Sequence, residues 1–292
     1  MDLLPPCATP SEVAVTAARR AGCTVRPLSD IDDIARATAL FDQVWQAPGV
    51  MPSNLTRAVQ HAGGYAAGAF ADDRMVGASV GFFGFGDDEH GTRRLILHSH
   101  VTGVSTPHRG IGLALKLHQR AWAAHQGVHA VTWTFDPLVA RNAWFNLSKL
   151  GVRIRAYLVD HYGAMADGIN AGDDSDRLLA WWPVEPAEPR TGSVADAPRI
   201  VLDRDARGRP IHVHEGWADA EDGSGLLLGA PPLGVRIPLE IEALRRADPD
   251  LARGWRTAVR DAFLAAEDRG YRATGMHRDG TYLLTRPTGV AS

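Results

Sequence analysis

His98-Ser-His-Val-Thr-Gly-Val-Ser-Thr-Pro-His-Arg-Gly-Ile-Gly-Leu-Ala-Leu-Lys116 is the stretch on which the fold turns. It opens inside a strand over Leu95–Val104 and passes through a short turn. It then enters a helix over Gly110–His125, where Leu113, Leu117, Ala121 and Ala124 recur at helical spacing. A strand–turn–helix junction can cradle an anion. Gly110 and Gly112 let backbone approach a phosphate, and the first N–H groups of the helix face it with the positive end of the dipole. Arg109 adds a positive charge beside the turn. A glycine pair at such a junction serves equally as a plain turn, so the surrounding elements have to decide.

Upstream, the first 22 residues read as a weakly ordered arm with at most one or two helical turns over Glu12–Arg20. Thr24–Leu28 reads as a short strand. Ser29 or Asp30 caps a helix whose apolar face is Ile31, Ile34, Leu40, Phe41 and Val44, and Pro48, Gly49 and Pro52 break it. Asn54–His61 follows as a second helix. Gly64–Ala71 and Met75–Phe85 form a hairpin around Asp72-Asp73-Arg74. Downstream come a strand (Val128–Phe135), a helix (Asn142–Leu150) stopped by Gly151, and strands Val152–Val159 and Leu178–Trp182.

Prolines 183, 186, 189 and 198 then mark a boundary. Beyond it lie short strands (Ile200–Asp203, Ile211–His214, Leu226–Leu228), helices Glu240–Arg246 and Asp250–Arg269, and a closing hairpin, Tyr271–His277 with Thr281–Arg286, around Asp279-Gly280. Leu251, Trp255, Val259 and Phe263 repeat every four residues and predict a core-facing stripe. The expected division is an arm (1–23), a main domain (24–182), a Pro-rich linker (183–198) and a C-terminal α+β extension (199–292).

The 292 residues fit one large domain or a domain plus extension; with 45% apolar and 22% charged residues the chain is an ordinary globular one. A net charge of −3, from 31 basic and 34 acidic residues, gives no footprint for nucleic-acid binding. No run approaches the length of a membrane span. Met1–Ser11 lacks the basic start of a signal peptide, and Cys7 and Cys23 read as free thiols, so a cytoplasmic setting is expected. His212-Val-His-Glu215 places two histidines on one strand face, but no further ligands lie nearby and no metal is expected.

In this order of elements the chain resembles the GNAT acyltransferase superfamily. Arg109-Gly-Ile-Gly112-Leu-Ala114 fits that family's turn for the CoA pyrophosphate. Asn142-Ala143 and Lys149-Leu150-Gly151 fit its later helix. The likeness covers about Val25 to Trp182. It is sharpest to a subgroup of predicted acyltransferases with a C-terminal extension, through His98-Ser-His100, Leu115-Lys116, Trp133-Thr-Phe-Asp-Pro137, Arg141-Asn-Ala143, Phe145-Asn-Leu147, Tyr162-Gly163 and Asp176-Arg177-Leu178. Some members of that subgroup are associated with N-acylation of amino acids, including N-succinylation.

The resemblance implies a central mixed, mostly antiparallel sheet flanked by helices, splayed to admit a pantetheine arm. It implies an acyl-CoA cosubstrate (acetyl-CoA or succinyl-CoA) held by Gly103, Val104, Arg109, Gly110, Ile111, Gly112, Ala114 and Asn142. The acceptor it implies is a small-molecule amine, with amino acids among the candidates. An alternative alignment of Gly110-Ile-Gly-x-Ala-Leu-Lys shortens the turn by two residues and puts Pro107 where the family has Arg or Gln. Leu147 stands where many members carry a Tyr acid, leaving Tyr162, Tyr157 or water for that role.

Direct transfer to an amine requires a base, because an amine of pKa about 10.4 is almost wholly protonated at pH 7. Histidine suits that role with the least perturbation. Strand alternation puts His98, His100, Thr102 and Val104 on one face, so that one histidine can act and the other orient it. The resemblance further implies that the backbone N–H of Gly103 or Val104 would meet the developing oxyanion. Arg236, Arg245, Arg246 and Arg253 read as a solvated basic face. Two other readings stay open: a ligand-binding protein of this fold without catalysis, and transfer from a carrier-protein or aminoacyl-tRNA donor. The extension would shape acceptor choice or form a homodimer.

Overall fold

A computed structural model describes residues 9–105, 109–163, 173–185, 197–213 and 231–286. Their contacts divide them into two compact units. One holds the described residues up to Trp133 together with 183–185, and the other holds the rest from Thr134 on.

The first unit runs α1 (Pro10–Arg20), β1 (Thr24–Pro27), α2 (Ile31–Trp45), α3 (Ser53–His61), β2 (Tyr65–Ala71), β3 (Arg74–Asp87), β4 (Arg93–Val104) and α4 (Ile111–His125), and ends within β5 (Ala130–Phe135). These strands lie in the order β1-β2-β3-β4-β5. The first three junctions are antiparallel and the last is parallel, which is the expected mixed, mostly antiparallel sheet. The tight β2–β3 turn sets Asp72 and Asp73 at φ 47° and 61°, a left-handed pair that Asp tolerates better than most residues. Helices cover both faces. Ile34, Ala37, Leu40 and Phe41 of α2 pack on Ala66, Phe70, Ala78, Val80 and Val101. On the other face Ala18 of α1 and Ile111, Ala114 and Leu115 of α4 pack on Ala69 and Val76.

The N-terminal segment departs from the expected arm. Residues 10–20 form an 11-residue helix closed by a capping box, in which Thr9 and Glu12 bond each other's backbone N–H. Ala14 and Ala18 are buried, so packing on α4 anchors a segment that looked too short and polar to order itself.

In the second unit, α5 (Ala140–Trp144) continues as a π-helical stretch over Phe145–Leu150, and Gly151 ends it at φ 68° as the sequence predicts. β6 (Arg153–Leu158) and β7 (Arg177–Pro183) pair antiparallel. Then come β8 (Arg199–Arg204), β9 (Pro210–His212), β10 (Leu233–Arg236), α6 (Ile241–Ala247), α7 (Pro249–Asp268), β11 (Arg272–Met276) and β12 (Thr281–Thr285). They build a five-stranded sheet in the order β11-β12-β10-β8-β9. Trp255, Val259 and Phe263 of α7 are buried as their spacing predicts. β10 was not anticipated, and the expected strand Leu226–Leu228 lies outside the described residues.

The contacts divide the chain between Trp133 and Thr134 and again on either side of 183–185, so the described residues from 134 to 182 fall in one unit with those of the expected extension. The segment after β5 is knitted to residues more than a hundred positions later. Tyr282 donates to the Pro137 carbonyl at 2.7 Å, and Ser148 to the Met276 carbonyl at 2.6 Å. Proline content carries no information about such bonds.

Candidate active site

The first unit's site is organised by a fork between two strands. The β4–β5 ladder pairs Ile96 with Ala130, Leu97 with Val131 and His98 with Thr132, and ends there. β4 continues to Val104. Just past the fork, β4 also bulges: Val80 of β3 pairs with Val101 and Gly81 with Ser99, so His100 is the extra residue.

The bulge corrects the expected alternation. His98 and His100 do share a face, both rings lying against Phe82 with centroids 5.2 Å and 5.8 Å away. Thr102 and Val104 do not join them. Thr102 Oγ1 bonds Ser79 Oγ at 2.8 Å, which also receives Gln119 Nε2 from α4, and Val104 packs with Ile111. One inserted residue puts His100 and Val101 in succession on the α2 face, and everything beyond reverses. Gly103 therefore points at α2, where a Cβ would meet Trp45, Phe41 and Leu40 at 3.0–3.2 Å. His98 is part-buried with Nδ1 3.3 Å from Thr132 Oγ1. The protein around His100 lowers its pKa from the ordinary 6.5 by desolvation, although its ring reaches solvent.

The other side of the fork belongs to α4. Gly110 is its N-cap at φ 87°, and no side chain caps the helix. Gly112 has only Val104 Cγ2, at 3.8 Å, near its absent Cβ. Arg109 is exposed beside this end, Ile111 and Ala114 are core residues, and Pro107 and His108 lie outside the described residues.

Lys116, a turn further down α4, carries no site role in the sequence analysis and is 6% exposed. Its Nζ donates to Ser99 Oγ at 2.9 Å and lies 3.7 Å from the centroid of the Trp133 ring. Burial pushes its ammonium down to about 7. The available signal was its place at i+4 from Gly112, on the side of the helix that also buries Ile111, Leu115 and Gln119.

The remaining expected residues fall in the second unit. Tyr162 is 49% exposed, with its hydroxyl 2.8 Å from Thr134 Oγ1. Tyr157 is buried and donates to Asp176 Oδ2 at 2.6 Å; burial and that carboxylate both raise its pKa. Asn142 is exposed within α5, whose N-cap is Val139.

Asp136 turns the chain, accepting from Leu138 N at 2.8 Å, and it also anchors a buried charge cluster. Arg256 meets both its oxygens at 2.9 Å, and Arg245 Nη2 lies 2.7 Å from Oδ2. Both arginines also bind Asp173. Burial would raise the Asp136 pKa, but Arg256 and Arg245 hold it well below the usual carboxylate range. The expected solvated face of arginines is thus corrected for Arg245, whose side chain is 9% exposed. Arg236 pairs with Asp203, and Arg253 pairs with Asp250 on the surface. His212 is exposed, and its expected neighbours His214 and Glu215 lie outside the described residues. No group of metal-binding side chains occurs among the described residues.

No protein-family model matches this sequence, and no curated protein matches it. Solved structures do. One is aminoglycoside 6'-acetyltransferase type Ii, at 15% identity over 56% of this chain and 99% of that one, with a TM-score of 0.43. Another is the ribosomal-protein-S18-alanine N-acetyltransferase from Escherichia coli, at 13% identity over 57% and 97%, TM-score 0.43. A third, an aminoglycoside 6'-N-acetyltransferase complexed with coenzyme A, matches at 13% identity over 57% and 99%, TM-score 0.42.

Proposed function

We propose that this chain is a CoA-dependent N-acyltransferase of the GNAT type that transfers an acyl group from a thioester to the amine of a small molecule. The observation that carries the reading is the fork after His98 and Thr132, with an uncapped glycine-bearing helix N-terminus on one side and two histidines on the other. The α4 N–H groups and Arg109 would hold the CoA pyrophosphate, the anion site that a bare helix N-terminus offers. Gly110, Ile111, Gly112 and Ala114 keep that end narrow. The thioester arm would enter the fork along Gly103 and Val104, whose backbone N–H groups would receive the carbonyl oxygen as it gains charge. No metal is required: the reaction is a direct attack in a ternary complex.

His100, with its depressed pKa, is the free base across neutral pH and would take the proton of the attacking amine. His98, held by Thr132, would orient it or share the work. Acetyl and succinyl groups, and amino acids among the acceptors, are the finer form of this reading.

Isothermal calorimetry with CoA, followed by thiol-release assays against a panel of amines, tests it. Micromolar CoA binding and amine-dependent thiol release are expected. His98→Ala and His100→Ala should each leave CoA affinity within about threefold, and at least one should lower kcat on the order of 10²-fold. No CoA binding by the intact chain would sink the reading. Binding without turnover would select the non-catalytic alternative, which Leu147 at the position of the family's Tyr favours.

A further inference from the structure

We propose that Lys116 is the general acid of this site, the group that protonates the sulfur leaving the thioester. The inference rests on the acyl-transfer reading above and assigns a role that the sequence left between Tyr162, Tyr157 and water.

The geometry is particular. The last β4–β5 pair is His98 with Thr132. The next residue on each strand is Ser99 and Trp133, and the Lys116 amine touches both, at 2.9 Å and 3.7 Å. It therefore sits in the angle where the strands part, on the helix whose N-terminus would anchor the phosphates. Gly112 and Lys116 are four residues apart, about 6 Å of helix rise. Neither contact is ionisable, and no ion pair of Lys116 occurs among the described residues. A buried lysine normally has a carboxylate partner. The aromatic face and one hydroxyl stabilise the ammonium only in part, and burial brings it down to about 7. An ammonium of that acidity gives its proton readily to a thiolate, whose conjugate thiol has a pKa of about 8.5 in cysteine.

The step balances without another reagent. The amine nitrogen attacks the thioester carbonyl carbon, and its proton passes to the histidine base. As the tetrahedral intermediate collapses the C–S bond breaks, sulfur keeps the electron pair, and the Lys116 ammonium supplies the proton. The products are the amide and free CoA thiol. Lys116 regains its proton from solvent as the thiol departs. Tyr157 fits this role less well, since its hydroxyl is committed to Asp176.

The test compares acetyl-CoA with the acetyl ester of thiophenol, whose thiolate leaves without help. Wild-type and Lys116→Met proteins are assayed with one amine. The variant should lose on the order of 10²-fold in kcat with acetyl-CoA and less than about threefold with the thiophenyl ester. Its CoA affinity by calorimetry should stay within about threefold.

A readout apart from turnover is available because Lys116 and Lys149 are the chain's only lysines. With lysine labelled at Cε, the NMR spectrum holds two signals, assigned by Lys149→Arg, and CoA should move that of Lys116. Equal losses with both thioesters, or no loss, would overturn the acid role, as would a Lys116 signal unmoved by saturating CoA. Wild-type protein that binds CoA and turns over neither ester would instead overturn the acyl-transfer reading itself.

Discussion

At the scale of single residues, Lys116 is where function and stability pull apart. Its folded pKa of about 7 lies below the ordinary 10.5. Between those values the unfolded chain binds more protons than the folded one, so this residue makes stability rise with pH across that window. Below pH 7 both states are protonated, and the folded protein carries the full cost of a buried ammonium, on the order of 5 kcal/mol. Lys116→Met keeps the length and removes the charge. It should raise the urea midpoint at pH 6 and raise it less at pH 9. A variant less stable than wild type at both pH values would show that the Ser99 and Trp133 contacts outweigh desolvation. Such stabilisation on removing a buried charge is the usual mark of a residue retained for activity. The sequence held this residue in view, at the end of the stretch that decides the fold, but its burial depends on β4 and β5 closing over α4.

At the scale of elements, periodicity located most strands and helices of the first unit. It failed where one residue breaks the period. Alternation through His98–Val104 is correct up to His100 and reversed afterwards, because a bulge leaves no trace in residue type when the extra residue is itself polar. β10 is hard to see in the sequence because Gly234 and the prolines at 231, 232 and 238 interrupt its short apolar run, whereas in the fold a Cβ at Gly234 would meet Ile200 Cδ1 at 2.5 Å.

The same two elements carry a paired prediction. Gly103→Ala drives a methyl into Trp45, Phe41 and Leu40 and should cost about 1–3 kcal/mol. Gly112→Ala meets only Val104 at 3.8 Å, gains helix propensity, and should leave stability unchanged or raised by up to about 1 kcal/mol. Its added methyl nevertheless stands where a phosphate would approach, so CoA affinity should fall at least about tenfold. Thermal melts and calorimetry on the two variants separate a glycine kept for packing from one kept for a ligand. Unaltered CoA affinity in Gly112→Ala would remove the helix end from the binding site.

At the scale of the whole molecule, composition points to a detachable extension and the charge cluster argues otherwise. The Arg256–Asp136 and Arg245–Asp136 bonds join residues 120 and 109 positions apart, a pairing no local pattern can reveal. Arg260 likewise clamps Asp174 and Asp176, and Asp176 in turn receives the Tyr157 hydroxyl.

Arg256→Leu removes one partner and leaves Asp136 buried beside less positive charge, which should cost about 3–5 kcal/mol. The pH dependence follows from the depressed Asp136 pKa. Its stabilisation is complete above the unfolded value, near 3.9, and is lost as pH falls toward the folded one. Wild-type protein should therefore lose stability steeply below about pH 4, and Asp136→Asn, weaker at pH 7, should show a flatter acid limb. A chain ending near residue 189 lacks Arg245, Arg256 and Arg260 together, stranding Asp136, Asp173 and Asp176, and also loses the Tyr282 and α7 packing. It should be recovered as aggregate or as a species with no cooperative melt. A soluble, cooperatively melting truncation would show that the aspartates can be rehydrated in place, and that the second unit's cohesion lies in its apolar contacts instead.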